Sequence, residues 1–331
     1  MRFRSRLFAA AAFIVGSYFF HPNVSGGATL TAATHNTRLI LLGTGGGPVI
    51  RKFRSQPSSL LVVDGTPYLI DAGDGTARQL VWAGFAPQQI RAVFITHHHL
   101  DHTAGLGSIM AFNTLLAPPH ALDIYGPPGT KLLVNAAIEY FSVSDQLFAA
   151  ESNSPLTIKD VAQVHDVSAA GTVFQDEKIK VIAAENSHFT TMHLGPQSYG
   201  TDRSFSYRIE SKDRTVVFTG DTGPSEGLVK LARGADVLVS EVVDIEAVTK
   251  MLQARPGLSE ATLNLLISHM VNEHLSPAEV GKIAQRAGVK MVVLTHFVPG
   301  VDSESDPTVY TAGVKGEYSG PVFAGRDLDE Y

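Results

Sequence analysis

The short apolar run Ala92-Val-Phe-Ile-Thr96 ends abruptly in His97-His98-His99-Leu100-Asp101-His102. Four side chains that can bind a metal, His97, His99, Asp101 and His102, fall within six consecutive positions, all of them nitrogen or oxygen donors. If the run is a buried strand and Thr103 opens a helix, the cluster sits on the turn between them. There the backbone can aim His97 and His99 to one side and Asp101 and His102 to the other. That arrangement suits two adjacent metal ions better than one. His98 points the other way and reads as a supporting residue. The bland alternative is a solvated polar loop, and so dense a cluster directly after a buried strand argues against it.

The same pattern recurs downstream. Ile179-Lys-Val-Ile-Ala-Ala184 runs into Glu185-Asn-Ser-His188, Thr215-Val-Val-Phe-Thr219 into Gly220-Asp221, and Met291-Val-Val-Leu-Thr295 into His296. Each is a β-branched, apolar run with a His or Asp at its carboxyl end, where ligand sites of α/β proteins lie. Four strands thus deliver seven ligands to one edge. His193 is the rival to His188, which follows its strand more closely. A further run, Ala235 to Ser240, ends in Glu241. His274 precedes a helix from about Ala278 to Ala287, with Ser276 as N-cap and Pro277 at the first helical position.

The remaining segments supply a frame. Arg38 to Gly43 reads as a buried strand, followed by the glycine-rich turn Gly43 to Gly47, which lacks the Lys-Ser/Thr of a phosphate loop and suits the rim of a site. Ser59–Val63 and Tyr68–Asp71 are strands joined by the hairpin signal Asp64-Gly65. Thr76 to Gly84 is a short helix whose Trp82, the one tryptophan, is expected to pack. Residues 103–117 form a helix on the sheet, Leu122–Tyr125 and Pro321–Gly325 are strands, and 127–165 is a helical excursion that could wall the pocket. Its aromatics Tyr140, Phe141 and Phe148 are read as core.

With 331 residues, 44% hydrophobic and 18% charged, the chain can bury a large core and is not a disordered sequence. Cysteine is absent, which removes disulfides, thiolate nucleophiles and Cys-ligated zinc together. Arg2, Arg4 and Arg6 precede the apolar stretch Leu7 to Phe20 and a small-residue segment to Ala33, the order of a secretory signal peptide. The apolar stretch is short for a membrane span, which needs about 20 residues. Residues 1–33 therefore read as a signal peptide, cleaved after Ala28 or after Ala33 on export to the periplasm or outside, and 34–331 as a single domain; an uncleaved anchor is the lesser alternative. Net charge is −6, and residues 1–33 hold three of the basic residues and no acid, so the body is more acidic still. An acidic body argues against tracking a long phosphate backbone.

Taken in order, His-x-His-x-Asp-His, the later His188, Phe218-Thr-Gly-Asp221 and Leu294-Thr-His-Phe297 resemble the metallo-β-lactamase superfamily. Leu42-Gly-Thr-Gly45, Glu241 and His274-Leu-Ser-Pro-Ala-Glu279 bring the resemblance nearer to its ribonuclease Z and arylsulfatase-like branch, over roughly residues 38–331. The resemblance implies an α/β, αββα sandwich of two mixed β-sheets packed face to face with helices outside. It implies two zinc ions, with manganese or iron as substitutes: His97, His99 and His188 at the first, Asp101, His102 and His296 at the second, and Asp221 bridging. Asp101, His274 and Glu241 are the candidate catalytic residues, His274 as a proton donor or oxyanion contact oriented by Glu241. A buried structural pair is the alternative for Glu241 and His274.

Departures from the branch narrow the expectation. Ribonuclease Z is cytoplasmic and holds transfer RNA with a protruding basic arm; here a signal peptide is read, and Lys131, Lys159, Lys178 and Lys180 are scattered. Lactam-hydrolysing members lack the Glu241 and His274 pair, and many use a Cys ligand. The expected protein is an exported dinuclear hydrolase that uses a metal-bridging hydroxide on a small sulfate ester, phosphodiester, lactone or carboxylic ester. No nucleic-acid partner and no lasting membrane insertion are expected; homodimers are common in this branch. An iron-dependent redox enzyme and a non-catalytic binding protein on the same scaffold are the other readings.

Overall fold

Thirteen strands divide by sequence order into two sheets in a computed structural model of the chain, which describes residues 36–331 except 116–117, 119, 153–155, 192–194 and 303–305. The first sheet runs β1 (Thr37–Gly43), β2 (Ser58–Val63), β3 (Thr66–Ile70), β4 (Ala92–Phe94), β5 (Leu122–Gly126) and β6 (Ala162–Asp166), each beside the next. The second holds β7 (Gly171–Gln175), β8 (Ile179–Glu185), β9 (Phe205–Ser211), β10 (Thr215–Phe218), β11 (Val237–Val243), β12 (Val292–Val298) and β13 (Val322–Ala324), again neighbour to neighbour. Early strands of each sheet pair antiparallel through tight turns such as Asp64-Gly65. Later ones pair parallel through helical crossovers.

Helices cover the outer faces. On the first sheet lie α1 (Thr76–Trp82), α2 (Leu100–Thr103), α3 (Leu106–Asn113), α4 (Thr130–Ser152) and α5 (Ile158–Val161). With the second go α6 (Glu226–Ala232), α7 (Ile245–Gln253), α8 (Glu260–Asn272), α9 (Pro277–Ala287) and α10 (Thr308–Lys315). Strand alternation explains the layering, because successive side chains point to opposite faces. Leu39, Leu41, Phe94, Val181, Tyr207, Val216 and Val239 meet between the sheets. Ile40, Leu42, Leu60, Val93 and Ile124 face α1, α3 and α4, while Val217, Leu238, Val292 and Leu294 face α6, α9 and α10. The result is the αββα sandwich of mixed sheets that the resemblance implied.

Several local expectations change. Trp82 is not a packing residue: it stands 68% exposed on the outer side of α1. Tyr140 is likewise 80% exposed, whereas Phe141 packs against the α3 face. The helix expected over 103–117 is two, α2 and α3, which part at Ala104-Gly105, where Gly105 N–H bonds Ala72 O at 2.8 Å. A Cβ on Gly105 would lie 2.2 Å from Gly73 O, so the ligand turn can press against the end of β3 only through glycine. The excursion from 127 is not helical throughout but ends in β6, which pairs with β5 from Leu122↔Ala162 to Gly126↔Asp166. That strand has a weak apolar alternation, and its partner decides its conformation. Among the described residues no helix is long and apolar enough to cross a membrane.

Phe94 is the hub between the sheets, fully buried and in ring contact with Tyr125, Phe174 and Tyr207. It lies three residues before His97 and so fixes the strand that aims the ligand turn. Replacing Phe94 by Ala is expected to lower unfolding stability by about 3–5 kcal/mol through lost burial and the cavity left behind. A reduced urea midpoint at unchanged slope is the readout.

Candidate metal centre

The ligand turn is held from beneath by a residue that the motif reading passed over. Asp71 follows β3 at φ 57°, a left-handed conformation that is strained for a non-glycine residue. Its Oδ1 accepts from Thr96 N at 2.8 Å, and its Oδ2 lies 2.9 Å from His102 Nδ1. A carboxylate on Nδ1 orients the ring and leaves Nε2 for a ligand. Asp71 carried the same signature as the ligand Asp221, an acid at a strand's carboxyl end. His98 plays the supporting part expected: its Nε2 pairs with Thr130 Oγ1 at 2.9 Å, at the start of α4.

The later strands bring the remaining groups to the same edge. His188 lies beyond β8, its Nδ1 2.9 Å from Glu273 O and its Nε2 3.1 Å from His99 Nδ1. His193 lies outside the described residues. Glu241 and His296 differ from expectation in one respect, since they sit inside β11 and β12 rather than after them. The pairing of these strands shifts register between Ser240 and Val242, and His296 adopts φ 47°. Such a bulge turns a side chain that regular alternation would bury elsewhere. Gly46 packs against it: a Cβ there would lie 2.5 Å from His296 Nδ1, so the glycine-rich turn does rim the site.

Two ligand groups share one carboxylate. His97, His99, His188 and Asp221 converge in one, Asp101, His102 and His296 in the other. Asp221 Oδ2 lies 3.8 Å from His97 Nε2 and 3.1 Å from His296 Nε2, and its Oδ1 lies 3.4 Å from His102 Nε2. Asp101 Oδ2 stands 3.4 Å from His296 Nε2. Nε2 of His97, His102 and His296 and Oδ1 of Asp221 are buried without a hydrogen-bond partner. Leaving a buried polar atom unpaired costs roughly 1–3 kcal/mol, and four converging on one place call for a cation. Imidazole and carboxylate donors suit zinc, manganese or iron, so the residues present fit a pair of divalent ions.

Beside the shared carboxylate, His274 Nδ1 meets Glu241 Oε2 at 2.6 Å and Asp221 Oδ2 at 4.0 Å. Glu241 Oε1 accepts from Thr222 N at 2.6 Å, which fixes the carboxylate. A second pair of the same kind escaped the sequence reading. His269 Nδ1 lies 2.5 Å from Glu273 Oε2, and the His269 ring centre is 5.1 Å from that of His274. Its signal was a His-x-x-x-Glu step at helical spacing, too common to single out.

Proton affinities divide the groups. Burial, helped by neighbouring histidines, pushes His97, His99 and His188 down. Burial acts the same way on His102 and His296, but the carboxylates around them outweigh it, raising His102 well above the ordinary range and His296 to about 10. Asp101 falls to about 2: burial opposes its ionisation, and His102 and His296 overcome it. Metal must therefore displace protons from His102 and His296, while the first group is already free of them at neutral pH. Affinity at the second group is expected to climb with pH until about 10 and to fall on acidification, with proton release on binding. Metal titration in a weakly buffered indicator solution reads this out. Asp71→Asn should weaken metal binding about 10–100-fold by loosening His102, read by competition with a chelator.

Comparison with known proteins agrees with this geometry. Residues 66–297 match the Beta-lactamase superfamily domain. The ribonuclease Z of Mycobacterium bovis (strain BCG / Pasteur 1173P2) is 31% identical over 294 residues, covering 88% of this chain and 96% of that protein. Among solved structures, the metallo-beta-lactamase fold protein YhfI from Bacillus subtilis superposes with a TM-score of 0.63 at 18% identity, over 89% of this chain and 98% of that one. Human tRNase Z, short form, gives 0.58 at 22% identity with the same coverage. Matched by family model, relatives and a shared-carboxylate His/Asp cluster, the chain belongs to the metallo-β-lactamase superfamily, in its ribonuclease Z branch, and is a metallo-hydrolase of that fold.

Proposed function

We propose that the chain is an exported dinuclear hydrolase that cleaves a small ester, with phosphodiesters and sulfate esters ahead of lactones and carboxylic esters. The observation that carries this is Asp221 placed between two ligand groups with the Glu241–His274 pair at its side. Divalent ions in such a pair, zinc foremost, lower the pKa of water towards about 7, supplying a nucleophile, and stabilise charge developing on the ester. The chain's own part is orientation and proton supply. With Nδ1 tied to Glu241, His274 offers Nε2 on the opposite edge of its ring. Burial disfavours the charged imidazole, but Glu241 and Asp221 outweigh it and raise the pKa, so His274 holds a proton to give to the departing oxygen. Asp101 completes the second ligand group and carries its negative charge.

The relatives named ribonuclease Z favour phosphodiester chemistry, and a second reading takes RNA as the substrate. Against a long RNA footprint stands the charge of the chain: α4, the longest helix described, carries Lys131 against Glu139, Asp145 and Glu151. Export is supported by the sequence of residues 1–33, which lie outside the described residues. N-terminal sequencing of protein recovered from the producing cell's exterior or periplasm tests it, and an intact Met1 in the cytosol would refute it.

Metal-loaded protein is expected to turn over bis-p-nitrophenyl phosphate or an aryl sulfate, and Asp221→Ala to abolish that activity. Failure on a panel of small esters, with cleavage of a precursor transfer RNA, would replace this reading by the second. His274→Ala should lower kcat by about 10²–10⁴ for esters with poor leaving groups and much less for nitrophenolate, which needs no proton. A loss independent of the leaving group would make Glu241 and His274 a structural pair.

A further inference from the structure

Trp82 is unexplained by the hydrolase reading. It borders a groove of about 980 Å³ on the outer side of the first sheet, between α1, α3 and the loop 50–56. None of the metal-ligating residues lines it. Its walls mix polar and apolar groups, and among the apolar ones Ile50, Phe53, Val81 and Phe112 join Trp82 as exposed side chains. Isolated exposed hydrophobics need no explanation, but a contiguous patch of them marks a binding surface.

The charges at this groove run against those of the body. Arg51, Lys52, Arg54 and Arg78 line it together, with Arg54 donating to Thr44 Oγ1 and Gly325 O. Arg51 donates from Nη2 to Pro299 O at 2.6 Å, yet its Nε is buried without a hydrogen-bond partner. Lys52 holds Nζ 4.9 Å from the centre of the Phe53 ring, and neither it nor Arg78 has an ion-pair partner among the described residues. Two acids oppose them, Asp74 at the rim and Asp327, which accepts from Thr44, Ser55 and Gln79. In a chain of net charge −6, four cations with two opposing acids form a local positive field. The volume is that of a small-molecule site, which combines apolar walls with a few orienting polar groups.

We propose that this groove binds a small anionic amphiphile, an aryl or alkyl group carrying a sulfonate, sulfate, carboxylate or phosphate. The apolar part lies over Trp82, Phe53 and Phe112, and the anionic head meets Arg51, Lys52 and Arg78. The site is separate from the metal centre and does not depend on which ester is hydrolysed there.

Trp82 is the chain's one tryptophan, so its emission reports this groove alone. Metal-loaded full-length protein is titrated with 1-anilinonaphthalene-8-sulfonate and with the uncharged N-phenyl-1-naphthylamine. The sulfonate should quench Trp82 saturably and bind at least about tenfold more weakly to K52A/R78A, the loss of roughly one charge-assisted contact. The uncharged probe should bind the two proteins alike. K212A/K230A, which removes the same charge elsewhere, should bind the sulfonate like the unaltered protein. Absence of saturable quenching, equal sulfonate affinity in K52A/R78A, or an uncharged probe binding as tightly as the sulfonate would overturn the proposal. A Trp82 shift on concentrating the protein without probe would assign the groove to a second copy and overturn it as well.

Discussion

One buried carboxylate organises the catalytic edge of this protein. Asp221 is 2% exposed and faces His97, His102, His188, His274 and His296 at once. An isolated buried charge is prohibitive, and it persists only when paired or coordinated. Around Asp221 the neighbouring imidazoles overcome the penalty of burial and hold its pKa well below the usual carboxylate range. Every element that touches the site is shaped to bring a ring to this carboxylate: the bulge at His296, the strained Asp71 beneath His102, and the Glu273 carbonyl behind His188.

The surrounding fold serves that convergence through two related half-sandwiches. Each sheet begins with antiparallel hairpins and ends in parallel strands, so each half sends strand ends towards the same edge. Aromatic packing between the sheets holds the halves in register: Phe94 contacts Tyr207, whose hydroxyl donates to Ile95 O at 2.8 Å. A shift of either sheet would move His97 relative to Asp221, which is why the ligand turn and the inter-sheet core meet at adjacent residues.

Other elements surround this shared machinery. The helical hairpin α7–α8 lies between Glu241 and His274 in the chain and delivers His269 and Glu273 beside the metal ligands. The sequence reading places a pocket wall in 127–165 and does not include this hairpin. The exposed groove around Trp82 lies on another face, built from α1 and the β1–β2 connection, where the packing that the sequence suggested did not form.

The order of apolar runs and the acid or imidazole that ends each one are properties of the chain itself. They determined the His-x-His-x-Asp-His turn and the group His188, Asp221, Glu241, His274 and His296, because strand periodicity and ligand chemistry are local and survive without coordinates; the αββα architecture followed from the resemblance that these motifs carry. What tertiary structure decided depends on distance between segments remote in sequence. That Asp71 reaches across to His102, that a register shift rather than a strand end presents His296, that Glu273 repeats the Glu241 arrangement, and that Trp82 faces outward follow from which surfaces pack together. A single tryptophan on a short helix carries no mark of the side it will present; only the neighbouring loop and α3 settle that.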